Sequence, residues 1–185
     1  MAVKFEAVGM VEFTSIAVGI QAADHMIKAA RVAPLMMKTI CPGKFVVAVH
    51  ATVSAVQSAI DAGLTAGKGV IVDHFVIPNI DPGVIAAMSC TVEKPEGPAL
   101  GIIETFSAAS SILAADTAIK AASVELVEVR IAMGIGGKAF SILCGEVGPV
   151  KTAVDAGAAT AGKIGMLVRE EVIPGIAEQV LSWIL

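Results

Sequence analysis

The sequence predicts an α/β sandwich built from two tandem copies of a split βαβ unit, and three observations carry that prediction. The chain repeats itself. Each copy offers the same order of short apolar runs and amphipathic segments: strand, helix, strand, strand, helix, strand. The composition is 56% hydrophobic with only 4% aromatic residues, so the apolar content is mainly Ala, Val and Ile, suited to small-residue helices laid on β-branched strands.

The repeat shows residue by residue. Gly9, Glu12, Ser15, Ile20, Asp24, Ile27, Lys28 and Val32 recur in register as Gly101, Glu104, Ser107, Ile112, Asp116, Ile119, Lys120 and Val124. After a short insertion, Gly43-Lys44 recurs as Gly137-Lys138, and Val53, Val56, Asp61 and Gly63 recur as Val147, Val150, Asp155 and Gly157. Val76-Ile77-Pro78 then matches Val172-Ile173-Pro174. The two units of roughly ninety residues divide at 1–94 and 95–185, joined by the Pro-rich "EKPEGP" at 93–98.

Each copy opens with an apolar run ("AVGMVEF" in the first), after which Thr14 or Ser15 can cap a helix. The helix is expected to bury the stripe Ile16, Ile20, Ala23, Ile27 and Ala30, repeated as Ala108, Ile112, Ala115, Ile119 and Ala122. Two strands follow ("VAPLMMKTI" and "FVVAVHA"; "VELVEVRIA" and "AFSILCGEV"), separated by the Gly-Lys loop. A second helix carries Val53, Val56 and Ile60 on one face, and the last strands end at Pro78 and Pro174, each before a short helical tail. This order is the ferredoxin-like arrangement.

The totals exclude several functions. A net charge of −4 without clustered Lys and Arg argues against nucleic-acid binding. The longest stretch free of Asp, Glu, Lys and Arg, Phe45 to Ile60, is too short to span a membrane. Lys4 and Glu6 interrupt any signal-peptide core, which predicts a cytoplasmic protein. Cys41, Cys90 and Cys144 are odd in number and far apart, so they are no disulfide framework. A chain this apolar is expected to cover further surface by oligomerising.

The openings "AVGMVEFTSIAVGIQAADHMIKAARV" and "ALGIIETFSAASSILAADTAIKAASV" resemble bacterial microcompartment shell domains, and two in tandem resemble the BMC-T class. "KTICPGKF" at 38–45, "VIPNI" at 76–80 and "MGIGGKAF" at 133–140 are most similar to the propanediol-utilisation branch of that class. Both copies begin with the same strand, so the resemblance implies non-permuted domains. It also implies a homotrimeric pseudohexamer with a central pore. The pore loops would be Ile40, Pro42, Gly43 and Lys44 in the first repeat and Gly134, Ile135, Gly136, Gly137 and Lys138 in the second. Tiles of this family join other shell proteins edge to edge through a lysine of the first helix, which points to Lys28 and Lys120. The family's Pro-Arg-Pro-His edge turn reads "IPNI" and "IPGI" here, so the edge packing is expected to differ in detail.

In such a trimer each chain brings Cys41 to the three-fold axis. The resemblance implies a 4Fe-4S cluster there, held by one cysteine per subunit. Three symmetric thiolates suit a cubane, whose fourth iron takes another ligand. Pro42 and Gly43 favour the tight turn that would hold the sulfur, and Lys44 offers charge to balance the cluster. Without symmetry, a lone cysteine is more often an apolar filler, which is the reading for Cys90 and Cys144.

Other motifs fall away. "GIGGK" lacks the leading glycine and the trailing Ser or Thr of a phosphate loop, since those places are Ala132 and Ala139. His25, His50 and His74 share no metal-ligand spacing. Glu12 and Glu104 are repeat equivalents, expected to bond backbone at the helix start, and Met36, Met37 and Met88 are expected in the core or in inter-domain packing. No nucleophile with a base is present, so no enzyme is expected. The expected function is a microcompartment shell tile whose pore cluster carries electrons across the wall or supplies iron-sulfur centres to enclosed redox enzymes. The alternatives are a metal-free pore for small metabolites and a trimeric ferredoxin-like ligand-binding regulator.

Overall fold

The computed structural model describes residues 5–89 and 97–184; Cys90 and residues 93–96 of the Pro-rich joint lie outside them. The chain forms two compact units, Met1–Pro82 with Ala132–Gly137, and Gly83–Ile131 with Lys138–Leu185. The second repeat's glycine loop, Ala132–Gly137, groups with the first unit.

In the first unit β1 (Ala7–Phe13), α1 (Ile16–Ala29), β2 (Ala33–Ile40), β3 (Lys44–Ala51), α2 (Val53–Ala66) and β4 (Ile71–Pro78) follow the expected order. The sheet runs β2-β3-β1-β4 and is antiparallel throughout. Ser15 is the helix cap, its Oγ accepting from the Val18 N–H at 3.3 Å, whereas Thr14 donates its hydroxyl to the Val70 carbonyl. Thr52 caps α2 in the same way through the Ala55 N–H.

The core lies between the sheet and its two helices, with Val11, Phe13, Val47 and Val49 meeting Ala22, Ala23, Met26, Val56, Ala59 and Ile60. The stripe expected on α1 is rotated. Gly19, Ala22, Ala23 and Met26 face inward, while Ile16, Ile20 and Ile27 stay exposed. The cause is steric. A Cβ on Gly19 would lie 2.8 Å from Phe45 Cβ, so the helix settles on its smallest face, where backbone and sheet approach most closely. Val53 of α2 is likewise exposed while Val56 and Ile60 are fully buried.

Helix α3 (Pro82–Met88) precedes the second unit's β5 (Ala99–Thr105), α4 (Ala108–Ala121), β6 (Glu125–Ile131), β7 (Ala139–Gly145), α5 (Val147–Lys163) and β8 (Leu167–Pro174), and α6 (Glu178–Ile184) closes the chain. The sheet order β6-β7-β5-β8 repeats the first. Ser107 caps α4 through the Ser110 N–H at 2.8 Å. Here Ala108, Ile112 and Ala115 are buried as the stripe requires.

Two repeated glycines have a shared purpose. A Cβ on Gly101 would lie 2.5 Å from Val154, and one on Gly9 would lie 2.6 Å from Val56, so both mark where a helix rests directly on the first strand. Gly63 and Gly157 mark where the two helices of each unit touch.

Candidate functional site

Strand β2 ends at Ile40 and β3 starts at Lys44, so Cys41, Pro42 and Gly43 form the turn between them. Gly43 takes the left-handed backbone (φ 81°) that its missing Cβ allows, and its N–H donates to the Ile40 carbonyl at 3.1 Å. The Cys41–Pro42 peptide is cis. Cys41 is half-buried, and Pro42 and Gly43 are exposed.

The glycine loop folds against this turn within the first unit. The Cys41 N–H donates to the Ala132 carbonyl at 2.7 Å, and the Gly134 N–H donates to Cys41 Sγ at 3.4 Å. Gly137 (φ 86°) sits so close to Pro42 that an added Cβ would lie 2.6 Å from its Cδ. Lys38 Nζ reaches Met133 Sδ at 3.7 Å, beside an otherwise exposed methionine. The two segments read from sequence as equivalent loops thus form one patch around a single sulfur. Nothing in the spacing announces that contact, because it joins residues far apart in the chain.

The lysines of the Gly-Lys pairs each bond a glutamate of their repeat's first strand. The Lys44 ammonium lies 2.8 Å from Glu12 Oε1, and the Glu12 side chain is fully buried. A buried carboxylate that stays ionised needs such a partner. Lys138 repeats the pair with Glu104 at 2.5 Å in a more exposed setting. Sequence reading missed this pairing, although its signal was there: the glutamate and the lysine recur together in both copies.

Lys28 and Lys120 stand in the last turns of α1 and α4, where cations complement the helix dipole, and bond Asp24 and Asp116 at 2.6 and 2.7 Å. Met37 is exposed on the edge strand β2, not in the core. Cys144 is buried among Leu100, Val127 and Ile142, as a filler should be. His25 lines a shallow cavity with Gln21, Asp61 and Thr65, and His50 packs 4.4 Å from the Phe5 ring. Among the described residues, no group of three His, Cys, Asp or Glu within the chain could hold a metal ion, and no helix is long and apolar enough to cross a membrane. The second unit has a cavity of about 590 Å³ over its sheet, lined by Phe140, Trp183 and the ion pairs Arg130–Glu128 and Arg169–Glu171, which sequence reading did not foresee.

The twice-repeated fold and its known relatives agree. The BMC domain matches the chain at residues 7–80 and again at 99–176. The chain therefore belongs to the BMC-domain family, as a tandem-domain shell protein of bacterial microcompartments. It is 45% identical over 169 residues to the bacterial microcompartment shell protein PduT of Citrobacter freundii, covering 91% of this chain and 92% of that one. The shell protein EutM of Salmonella typhimurium is 47% identical over 76 residues, 41% of this chain and 77% of its own. The crystal structure of a microcompartment protein from Desulfitobacterium hafniense DCB superposes with a TM-score of 0.82 at 49% identity, covering 95% of this chain and 98% of that one.

Proposed function

We propose that this shell protein works as a homotrimeric pseudohexamer whose pore carries one 4Fe-4S cluster, bound by Cys41 of each subunit, and that the cluster passes electrons across the shell. The observation that carries the reading is the setting of Cys41: each chain places this one of its cysteines in an exposed turn, with an amide donor on its sulfur. The donor set fits the group. Cluster iron is ligated by thiolate, and N–H donors to the sulfur favour the negative charge that ligation leaves on it. One chain supplies one such ligand, so the cluster requires copies of the chain. When bound, it supplies reversible one-electron chemistry.

The trimer is supported by an asymmetry between equivalent positions. Ile20 on α1 is 55% exposed, whereas its repeat equivalent Ile112 on α4 is 2% exposed. Together with Ile16 and Ile27 it leaves an apolar stripe that a second copy would cover. The tile would meet other shell proteins through edges bearing Lys28 and Lys120, and enclosed redox enzymes would be its electron partners. It would act in the cytoplasm as part of the shell wall and catalyse no turnover by itself.

The test is iron and acid-labile sulfide analysis with electron paramagnetic resonance on protein purified without oxygen, beside Cys41→Ser. About four irons per trimer and a reducible signal, both lost in the variant, are expected for a cubane. Iron-free wild-type trimers after anaerobic reconstitution would overturn the cluster and leave a metal-free pore.

A further inference from the structure

The sulfur of Cys41 is held by backbone from the second repeat. Ala132 adopts φ 33°, a left-handed conformation that a residue with a Cβ resists, and its carbonyl takes the Cys41 N–H at 2.7 Å. Gly134 (φ 76°) then turns its amide toward Sγ, and Gly137 presses on Pro42. A backbone N–H in this place has a consequence that a side-chain donor would not. It does not titrate, and it has no rotamer in which to swing away.

We infer that the Ala132–Gly137 loop is the second half of the Cys41 site, with Gly134 a positioning residue whose amide fixes the sulfur and sets the electronic character of whatever the sulfur ligates. The hold on the sulfur stands without iron. Its effect on a reduction potential rests on the proposed cluster, because hydrogen bonds to ligand sulfur stabilise the reduced state and raise the potential. The duplication then gives the two loops separate tasks. The first repeat supplies the ligand and the second, which has Met133 where a further cysteine would stand, supplies the hold.

Gly134→Ala and Gly136→Ala form a matched pair for the test. Both glycines have left-handed backbone (φ 76° and 66°) and open space where a Cβ would go, so both variants carry the same kind of strain. Of the two, Gly134 is the one that donates to the sulfur. In iron-free protein, Cys41→Ala should make the Gly134 amide exchange with solvent at least several-fold faster, read by residue-resolved hydrogen exchange, and leave Gly136 unchanged. In protein reconstituted with iron and sulfide, Gly134→Ala should lower the midpoint potential relative to wild type while Gly136→Ala leaves it in place. An unchanged Gly134 exchange rate in Cys41→Ala, or equal potential shifts in the two alanine variants, would overturn the inference. If wild-type protein takes up no iron, the cluster reading fails, and the exchange measurement still decides whether the loop holds the sulfur.

Discussion

Lys44 Nζ lies 2.8 Å from Glu12 Oε1, and the carboxylate it meets is completely shut off from solvent. Glu12 stands on β1 and Lys44 opens β3, so the pair ties the strand that begins each repeat to the strand that leaves the cysteine turn. The Lys44 ammonium reaches into the first unit's core, and the donor the structure shows on the sulfur is the Gly134 backbone amide.

Breaking that pair takes the ammonium away from a fully buried carboxylate. Lys44→Met should cost about 3–5 kcal/mol, the range for a buried pair that loses one member. Lys138→Met breaks the equivalent bond to Glu104, where both side chains keep substantial exposure, and should cost below about 1 kcal/mol. Chemical denaturation of the two variants side by side reads the difference.

The repeated helix glycines should respond unequally. A Cβ on Gly63 would meet the flexible end of Met26, at 2.7 Å from its sulfur, while a Cβ on Gly157 would lie 2.7 Å from the Ala114 carbonyl oxygen. Met26 can move, and alanine favours the helix by about 1 kcal/mol, so Gly63→Ala should be close to neutral. Gly157→Ala must push two helices apart and should destabilise by about 1–3 kcal/mol. Thermal unfolding of each variant checks the order.

Ser141 Oγ is buried without a hydrogen-bond partner among the described residues, at the position where the first repeat has Val47. An unsatisfied buried hydroxyl carries a desolvation penalty, so Ser141→Ala should stabilise the second unit by about 1 kcal/mol. A clear loss of stability would mean that the hydroxyl is bonded after all.

The exposed stripe on α1 gives a prediction about assembly. Ile20→Glu should leave the fold intact, since the residue is 55% exposed, and should shift the protein toward monomers in sedimentation velocity. Unchanged trimers would place the interface elsewhere.

Much of the fold was legible because local signals set it. The first strand, a first-helix cap from the Thr14–Ser15 pair and the prolines ending β4 and β8 fall where the sequence put them. The inward face of α1 was not legible, because a search for large apolar residues selects Ile16, Ile20 and Ile27, whereas close packing selected Gly19 and Ala22. At the site, the turn around Cys41 was readable from Pro42 and Gly43. Its union with Gly134 was not, since a backbone donor leaves no mark in side-chain chemistry and the two residues meet only through tertiary structure.

The measurement that tests the central claim most directly is native mass spectrometry of protein purified without oxygen, because one spectrum reads subunit number and bound inorganic mass together. The account predicts a trimer carrying the added mass of a single 4Fe-4S cluster, and a Cys41→Ser trimer without it. A wild-type trimer bearing no added mass after anaerobic reconstitution, or a cluster retained in Cys41→Ser, would contradict it.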